Sequence, residues 1–368
     1  MLRLKSIDNF RGITIIAMIC LHLSEWWLSG DSQWFYYSSL QVIQYIFWVS
    51  FQFISGISTF LFYKTRKLKQ QTSESNKKKL VKREFILRAI LLLIVSLIYN
   101  SSIAIAILNP LYIWSSFILL SIAVSLIMTW PLLETSSWIR IYLGFFFMVI
   151  NFIILPFLHD FKGQINFFGI MYHFLYYPIS LHPILSSFAV FLIGTAVGEI
   201  IYDIYSMEEK EKRRRLLRRR IIIPSIIIGG ILITFVYSAE SLHFLNLPSF
   251  YRIISSLGIS LILFAVFVLI EEYEILKTKR NYKFIFYYSY YSLTIYIAHN
   301  LLYFLFLGLL NIPLLLLFLL LTIILLGLVL KWLYENTSSI FAIKVLIGKL
   351  AHRMVKAVEE RKTLKVVE

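Results

Sequence analysis

The chain has 368 residues, 59% of them hydrophobic and 15% charged, with a mean hydropathy of +0.77. Those values lie outside the range of soluble globular domains and mark an integral membrane protein. A net charge of +16 would suggest nucleic-acid binding in a soluble chain, but its placement along this one excludes that class, because membrane topology accounts for it.

A helix needs about 20 predominantly apolar residues to cross the hydrocarbon core, and about ten such stretches occur. They fall near 12–29, 38–63, 86–107, 112–132, 139–158, 181–204, 221–238, 251–271, 284–308 and 312–334. The predicted fold class is all-α. It is a polytopic bundle over 1–334 with a basic cytosolic tail over 335–368, multi-pass in the cell membrane, both termini cytosolic. With the N-terminus inside, segments 1–11, 64–85, 133–138, 205–220, 272–283 and 335–368 face the cytosol. Every Lys and Arg apart from Lys162 and Arg252 lies in them or at the cytosolic ends of adjoining helices, a strong positive-inside pattern. The basic runs KKKLVKR at 77–83 and KEKRRRLLRRR at 210–220 suit anionic membrane lipids. They also suit a polyanionic cytosolic ligand, such as a coenzyme bearing several phosphates. The single cysteine, Cys20, rules out an internal disulfide framework.

Ionisable residues inside a bilayer are costly and mark a site, a pathway or a buried pair. In RGITIIAMICLH, His22 follows Arg11 by three turns plus about 20°, a rise of about 16 Å, so both share a face. Asp8 and Glu25 fall within about 60° of the same line, completing a polar stripe. Cys20 points away from it, which argues against a Cys/His nucleophile pair. Bland readings stand beside this one. Arg11 is also placed as a snorkelling anchor, His22 as an interhelical hydrogen bond, and Glu25, next to Trp26 and Trp27, as a solvated group.

Arg83 and Arg88 stand at the entrance of the third span, where charge anchoring is the common explanation. His159, His173, His182 and His243 lie in or beside outer loops; they could line an acceptor pocket, although solvated loop histidines are commoner. Gly194 and Gly198 make a small-xxx-small face for close helix approach, and the neighbouring Glu199 and Asp203 are expected to reach water. In YYSLTIYIAHN, Ser292, Tyr296 and His299 step by four and three along one polar face, with packing glue as the alternative. No HExxH or paired CxxC appears, so no metal is expected, and the lack of a Walker-type loop argues against ATP-driven chemistry.

In order along the chain, these features resemble the transmembrane acyltransferase superfamily. LKSIDNFRGITIIAMICLH resembles its first core helix, with an Asp, an Arg-Gly pair and an Arg-x10-His spacing. FQFISGISTFLFYKTR resembles its second, carrying Ser55 and Gly56. KREFILRAILLLI, FAVFLIGTAVGEI and YYSLTIYIAHNLL match the later basic, Gly-x3-Gly and Ser-Leu-x2-Tyr-x2-His helices. The small-loop layout is similar to the heparan-α-glucosaminide N-acetyltransferase-like group, and the Arg-x10-His spacing is equally that of the acyltransferase-3 family. Heparan-type enzymes carry a histidine shortly before Trp-Asn-Gly in the first outer loop. This chain has Asp31-Ser32-Gln33-Trp34 there, which moves the catalytic role to His22.

The resemblance implies acyl-coenzyme A, with acetyl the expected acyl group, as donor and a sugar, glycan or lipid-linked acceptor at the outer side. Arg11, Arg83 and Arg88 would engage phosphate or pantetheine groups. His22 would act as base, with Glu25 or Asp31 orienting it, and Tyr296, Ser292 or His299 would donate to the developing oxyanion. Trp34, Ser292 and Tyr296 are the expected acceptor-side residues, and a homodimer is left open. The rival class is a transporter or flippase using intramembrane His and Arg; the absence of a visible repeat and the placement of every proline at or near a predicted helix end count against it. A catalytically silent scaffold would leave the polar stripe without an explanation.

Overall fold

The computed structural model describes residues 4–47, 49–71, 77–177, 182–241, 248–275, 283–337 and 339–367. Among them the regular elements are all helical, apart from an isolated parallel bridge between Leu28 and Leu310. The principal helices are α1 (Lys5–Trp27), α2 (Ser50–Gln71), α3 (Lys77–Ala106), α4 (Ile118–Thr129), α5 (Ser137–His159), α6 (Ile184–Tyr205), α7 (Ile223–Ser241), α8 (Pro248–Glu272), α9 (Lys283–Tyr290), α10 (Ser292–Ala298), α11 (Ile312–Asn336) and α12 (Ile343–Val367).

Among the described residues, seven helices are long and apolar enough to cross a membrane: α1, α3, α5, α6, the run Lys210–Ser238 that includes most of α7, α8 and α11. Three expected spans take another form. The stretch 38–63 is divided between Gln41–Phe47 and α2, and α2 ends in the basic YKTRKLKQQ. The stretch 112–132 becomes a short α4 preceded by a 3-10 turn at Pro110–Trp114. The stretch 284–308 is broken into α9, α10 and a 3-10 segment, His299–Leu305. Periodicity and hydropathy detect apolar character, but not the points at which a helix changes its hydrogen-bonding pattern. The residues expected as a basic tail form, from Ile343 onward, a regular helix.

The chain forms two compact units. One is built mainly from Gln52–Leu217 with Ile347–Glu368, the other from Leu4–Phe51 with Arg218–Leu346.

In the first unit, glycines set the helix spacing. A Cβ on Gly56 would fall on the Phe191 carbonyl oxygen, and one on Gly194 on the Phe53 carbonyl oxygen; at Gly198 it would lie 2.8 Å from the Ile57 oxygen. The Ser55-Gly56 pair of α2 and the Gly-x3-Gly face of α6 are therefore the two halves of one crossing. Gly56→Ala is expected to cost about 1–3 kcal/mol, the price of overpacking a close contact. Thermal unfolding in detergent checks it, and an unchanged midpoint would show that the crossing can relax. On the same helix Glu199 does not simply reach water, as its position near the helix end suggested: it pairs with Arg140 of α5, whose side chain is fully buried. Arg140 also donates to the Thr195 carbonyl at 3.3 Å and lies 4.5 Å over the Phe60 ring. Asp203 is exposed as expected.

In the second unit α1 packs against α8 and α9, and α7 against α8. Glu271 of α8 caps α1 in trans, accepting the Lys5 amide at 2.9 Å and the Ser6 amide at 2.6 Å. It satisfies donors that every helix start leaves open.

Candidate functional site

The site is assembled at both ends of α1, within the second unit. At the N-terminal end a Cβ on Gly12 would meet the Ile285 carbonyl oxygen, so the Arg-Gly pair marks the place where the α9 backbone crosses. That crossing brings Ser289 beside the acidic and basic members of the stripe. Ser289 Oγ donates to Asp8 at 3.2 Å and lies 3.5 Å from Arg11 Nη1, while Arg11 and Asp8 are 3.7 Å apart. Lys344 donates to the Ser289 carbonyl at 3.3 Å. Ser289 and Lys344 were not singled out from the sequence; Ser289 lies in the same polar-aromatic run as Ser292, and that was its available signal.

At the other end of α1, two imidazoles that are far apart in the chain meet. The His22 and His299 ring centroids are 5.2 Å apart with planes at 33°. Trp26, one helical turn beyond His22, is near-parallel to both rings: 5.3 Å and 20° from His22, 5.7 Å and 14° from His299. Tyr303 stands edge-on to Trp26 at 5.3 Å. His22 is half-buried and Glu25 exposed; His22 Nδ1 lies 3.9 Å from the Glu25 carboxylate. His299 is 4% exposed, and its Nδ1 lies 2.6 Å from the Tyr296 carbonyl oxygen. A carbonyl can only accept, so Nδ1 of His299 carries hydrogen and the neutral ring presents Nε2 as an acceptor. Trp26 and Tyr303 were not assigned from sequence, although an aromatic residue four positions after His22 shares its face.

Backbone bonds fix this end. Trp26 and Trp27 carbonyls accept from the Gly308 and Leu310 amides at 2.9 and 2.8 Å, the Ser29 amide donates to Leu310 at 2.9 Å, and Trp27 Nε1 donates to the Leu302 carbonyl at 2.9 Å. Gly308 has φ +65°, which a glycine adopts without strain. The 3-10 segment beginning at His299 is thereby tied to the end of α1.

The other expected residues are placed as follows. Ser292 and Tyr296 are buried on α10, Tyr296 with its ring centroid 5.7 Å from that of His299. Asp31 is exposed in the 3-10 turn Gly30–Ser32, and no hydrogen bond or ion pair among the described residues joins it to His22; Glu25 holds the nearby carboxylate. Trp34 is 60% exposed. His243 lies outside the described residues. His182 is half-buried, with Nδ1 3.3 Å from the fully buried Gln52 amide nitrogen.

Arg83 and Arg88 belong to the first unit, where each faces a carboxylate. Arg88 Nη2 lies 2.6 Å from Glu84, which is 7% exposed and also takes Arg66 at 3.3 Å and His352 at 3.4 Å. Arg88 is within 4.2 Å of the Phe62 ring and donates to the Gly348 carbonyl at 3.4 Å. Arg83 pairs with Glu359. The Glu84-x3-Arg88 spacing was legible as a same-face ion pair; the contribution of α12 to this cluster was not. Among the described residues no group of three or more His, Cys, Asp or Glu could hold a metal ion.

A family model described as heparan-alpha-glucosaminide N-acetyltransferase, catalytic, matches residues 3–230. That stretch contains Arg11, His22, Glu25, Arg83 and Arg88 and ends before His299. No curated protein and no solved structure matches the chain.

Proposed function

The chain belongs to the heparan-alpha-glucosaminide N-acetyltransferase catalytic family, and from that premise we propose that it moves an acyl group, acetyl first, from cytosolic acyl-coenzyme A to a hydroxyl or amine of a sugar, glycan or lipid-linked acceptor at the outer face of the cell membrane. The observation that carries this reading is the pairing of His22 with His299 at the end of a helix whose other end holds Arg11. The topology proposed with it has about ten crossings, the broken and shorter helices included, and a cytosolic N-terminus, as the positive-inside pattern supports.

In the proposed reaction the acceptor oxygen or nitrogen forms a bond to the thioester carbonyl carbon. His22, its Nδ1 turned toward Glu25, takes the acceptor proton on Nε2. The carbon–sulfur bond breaks, coenzyme A leaves as thiolate, and the imidazolium returns the proton to it. His299, with Nδ1–H committed to Tyr296, serves as a second proton acceptor beside His22, so oxyanion stabilisation falls to the hydroxyls of Tyr296 and Ser292. Arg11, Arg83 and Arg88 are the proposed ligands of phosphate or pantetheine. Each faces a carboxylate in this structure, so a phosphate bound at any one of them would exchange one anion for another. Trp34, well exposed, is proposed on the acceptor side.

One observation favours the second reading, a transporter or flippase. The helix bearing His299 is interrupted at Tyr291 and becomes 3-10 from His299 onward, and broken helices line many transport sites. One experiment separates the two. Purified full-length protein in vesicles, supplied with radiolabelled acetyl-coenzyme A and host lipid extract, is expected to produce free coenzyme A and labelled acceptor. Accumulation of an unmodified solute without loss of the thioester would instead establish transport.

A further inference from the structure

α12 carries three sectors. Ala351 and Val355 are buried, and with Glu359, at the same step of four, and His352 they form the face that meets Arg83 and Glu84. Leu350, Met354 and Val358 also step by four, yet they are 48%, 43% and 48% exposed. At 100° per residue this apolar stripe spans about 80° and is centred about 100° from Val355. Lys349, Arg353 and Lys356, all exposed, gather within about 60° of one another on the polar side of the helix, about 100–160° from the centre of the stripe. The contacts that dock α12, Arg83–Glu359 and Glu84–His352, leave the outward apolar row of Leu350, Met354 and Val358 outside them.

The position of α12 in the chain supplies its surroundings. It follows α11, a helix of membrane-crossing length and composition that ends at Asn336. Residues 337–342 between them could reach at most about 20 Å fully extended. α12 therefore starts close to whichever membrane surface α11 reaches. An apolar stripe with Lys and Arg gathered on the polar side is the pattern of a helix lying in the plane of an interface, its apolar face at the acyl boundary and its long cationic side chains reaching anionic headgroups. We infer that α12 is an interfacial helix, docked by one face on its own unit, with Leu350, Met354 and Val358 in an anionic leaflet and Lys349, Arg353 and Lys356 on its headgroups. This inference does not depend on the acyl-transfer reading.

The test uses full-length Cys20→Ser protein carrying one introduced cysteine, Leu350→Cys, Met354→Cys, Val358→Cys or Lys356→Cys, labelled with an environment-sensitive fluorophore and reconstituted in vesicles with or without phosphatidylglycerol. The first three probes are expected to be quenched by doxyl-labelled lipid and shielded from aqueous iodide, whereas the Lys356 probe stays open to iodide. Shielding should weaken without the anionic lipid and when Lys349, Arg353 and Lys356 are together replaced by Gln. Equal iodide quenching at all four positions would overturn the inference. So would shielding that grows only with protein concentration, which would mark a second copy as the occupant. Three independent apolar positions keep the outcome readable if one variant fails to fold.

Discussion

His22→Ala protein is expected to transfer acyl groups about 10²–10⁴-fold more slowly than the parent, the contribution typical of a positioned general base. The loss should appear in kcat rather than in KM for the acyl donor, because His22 is proposed to meet the proton in flight and not the coenzyme's phosphates. His299→Ala should also lose rate, through the acceptor nitrogen that its bond to Tyr296 leaves available. If the two rings act as one unit, the double variant will be scarcely slower than the worse single one. Release of coenzyme A from acetyl-coenzyme A by folded protein measures all three. Transfer by His22→Ala at the parental rate would remove His22 from the mechanism, and additive losses would separate the roles of the two histidines.

Glu199→Ala is expected to have the largest effect on stability. It strands the guanidinium of Arg140, which is 0% exposed and has Glu199 as its ion-pair partner. Removing one member of such a pair costs about 3–5 kcal/mol, whereas replacing both by apolar groups of similar volume is often close to neutral. The double variant Arg140→Met/Glu199→Met should therefore recover much of the lost midpoint in thermal unfolding. A Glu199→Ala midpoint equal to that of the parent would mean that the Thr195 carbonyl and the Phe60 ring suffice to hold the charge.

Relations within one helix were legible in the sequence, and relations across helices largely were not. The spacings Asp8–Arg11, His22–Glu25 and Tyr296–His299 follow from 3.6 residues per turn, and the structure joins each pair. Gly194 and Gly198 were read as a close-packing face and Gly56 as part of the family pattern of the second helix, but only the fold shows that Gly56 and Gly194 are opposite sides of one crossing. Meeting of His22 with His299, of Ser289 with Asp8, and of Arg140 with Glu199 depends on helix order and crossing angle, which hydropathy does not encode. Arg140 was counted among cations at a helix end because its position in its own helix allows that. Its burial comes from α2 and α6. The interruption at Tyr291 escaped notice because no Gly or Pro marks it.

The backbone bridge between Trp26–Ser29 and the segment ending at Leu310 bears on the time scale on which this end of the site can rearrange. Drawing the 3-10 segment away from α1 requires breaking the hydrogen bonds of the Gly308, Leu310 and Ser29 amides together. Those amides should consequently exchange with solvent deuterium as one cooperative group, with protection above that of fraying helix ends. Separation of the two imidazoles by backbone movement is thus expected to require that same local opening.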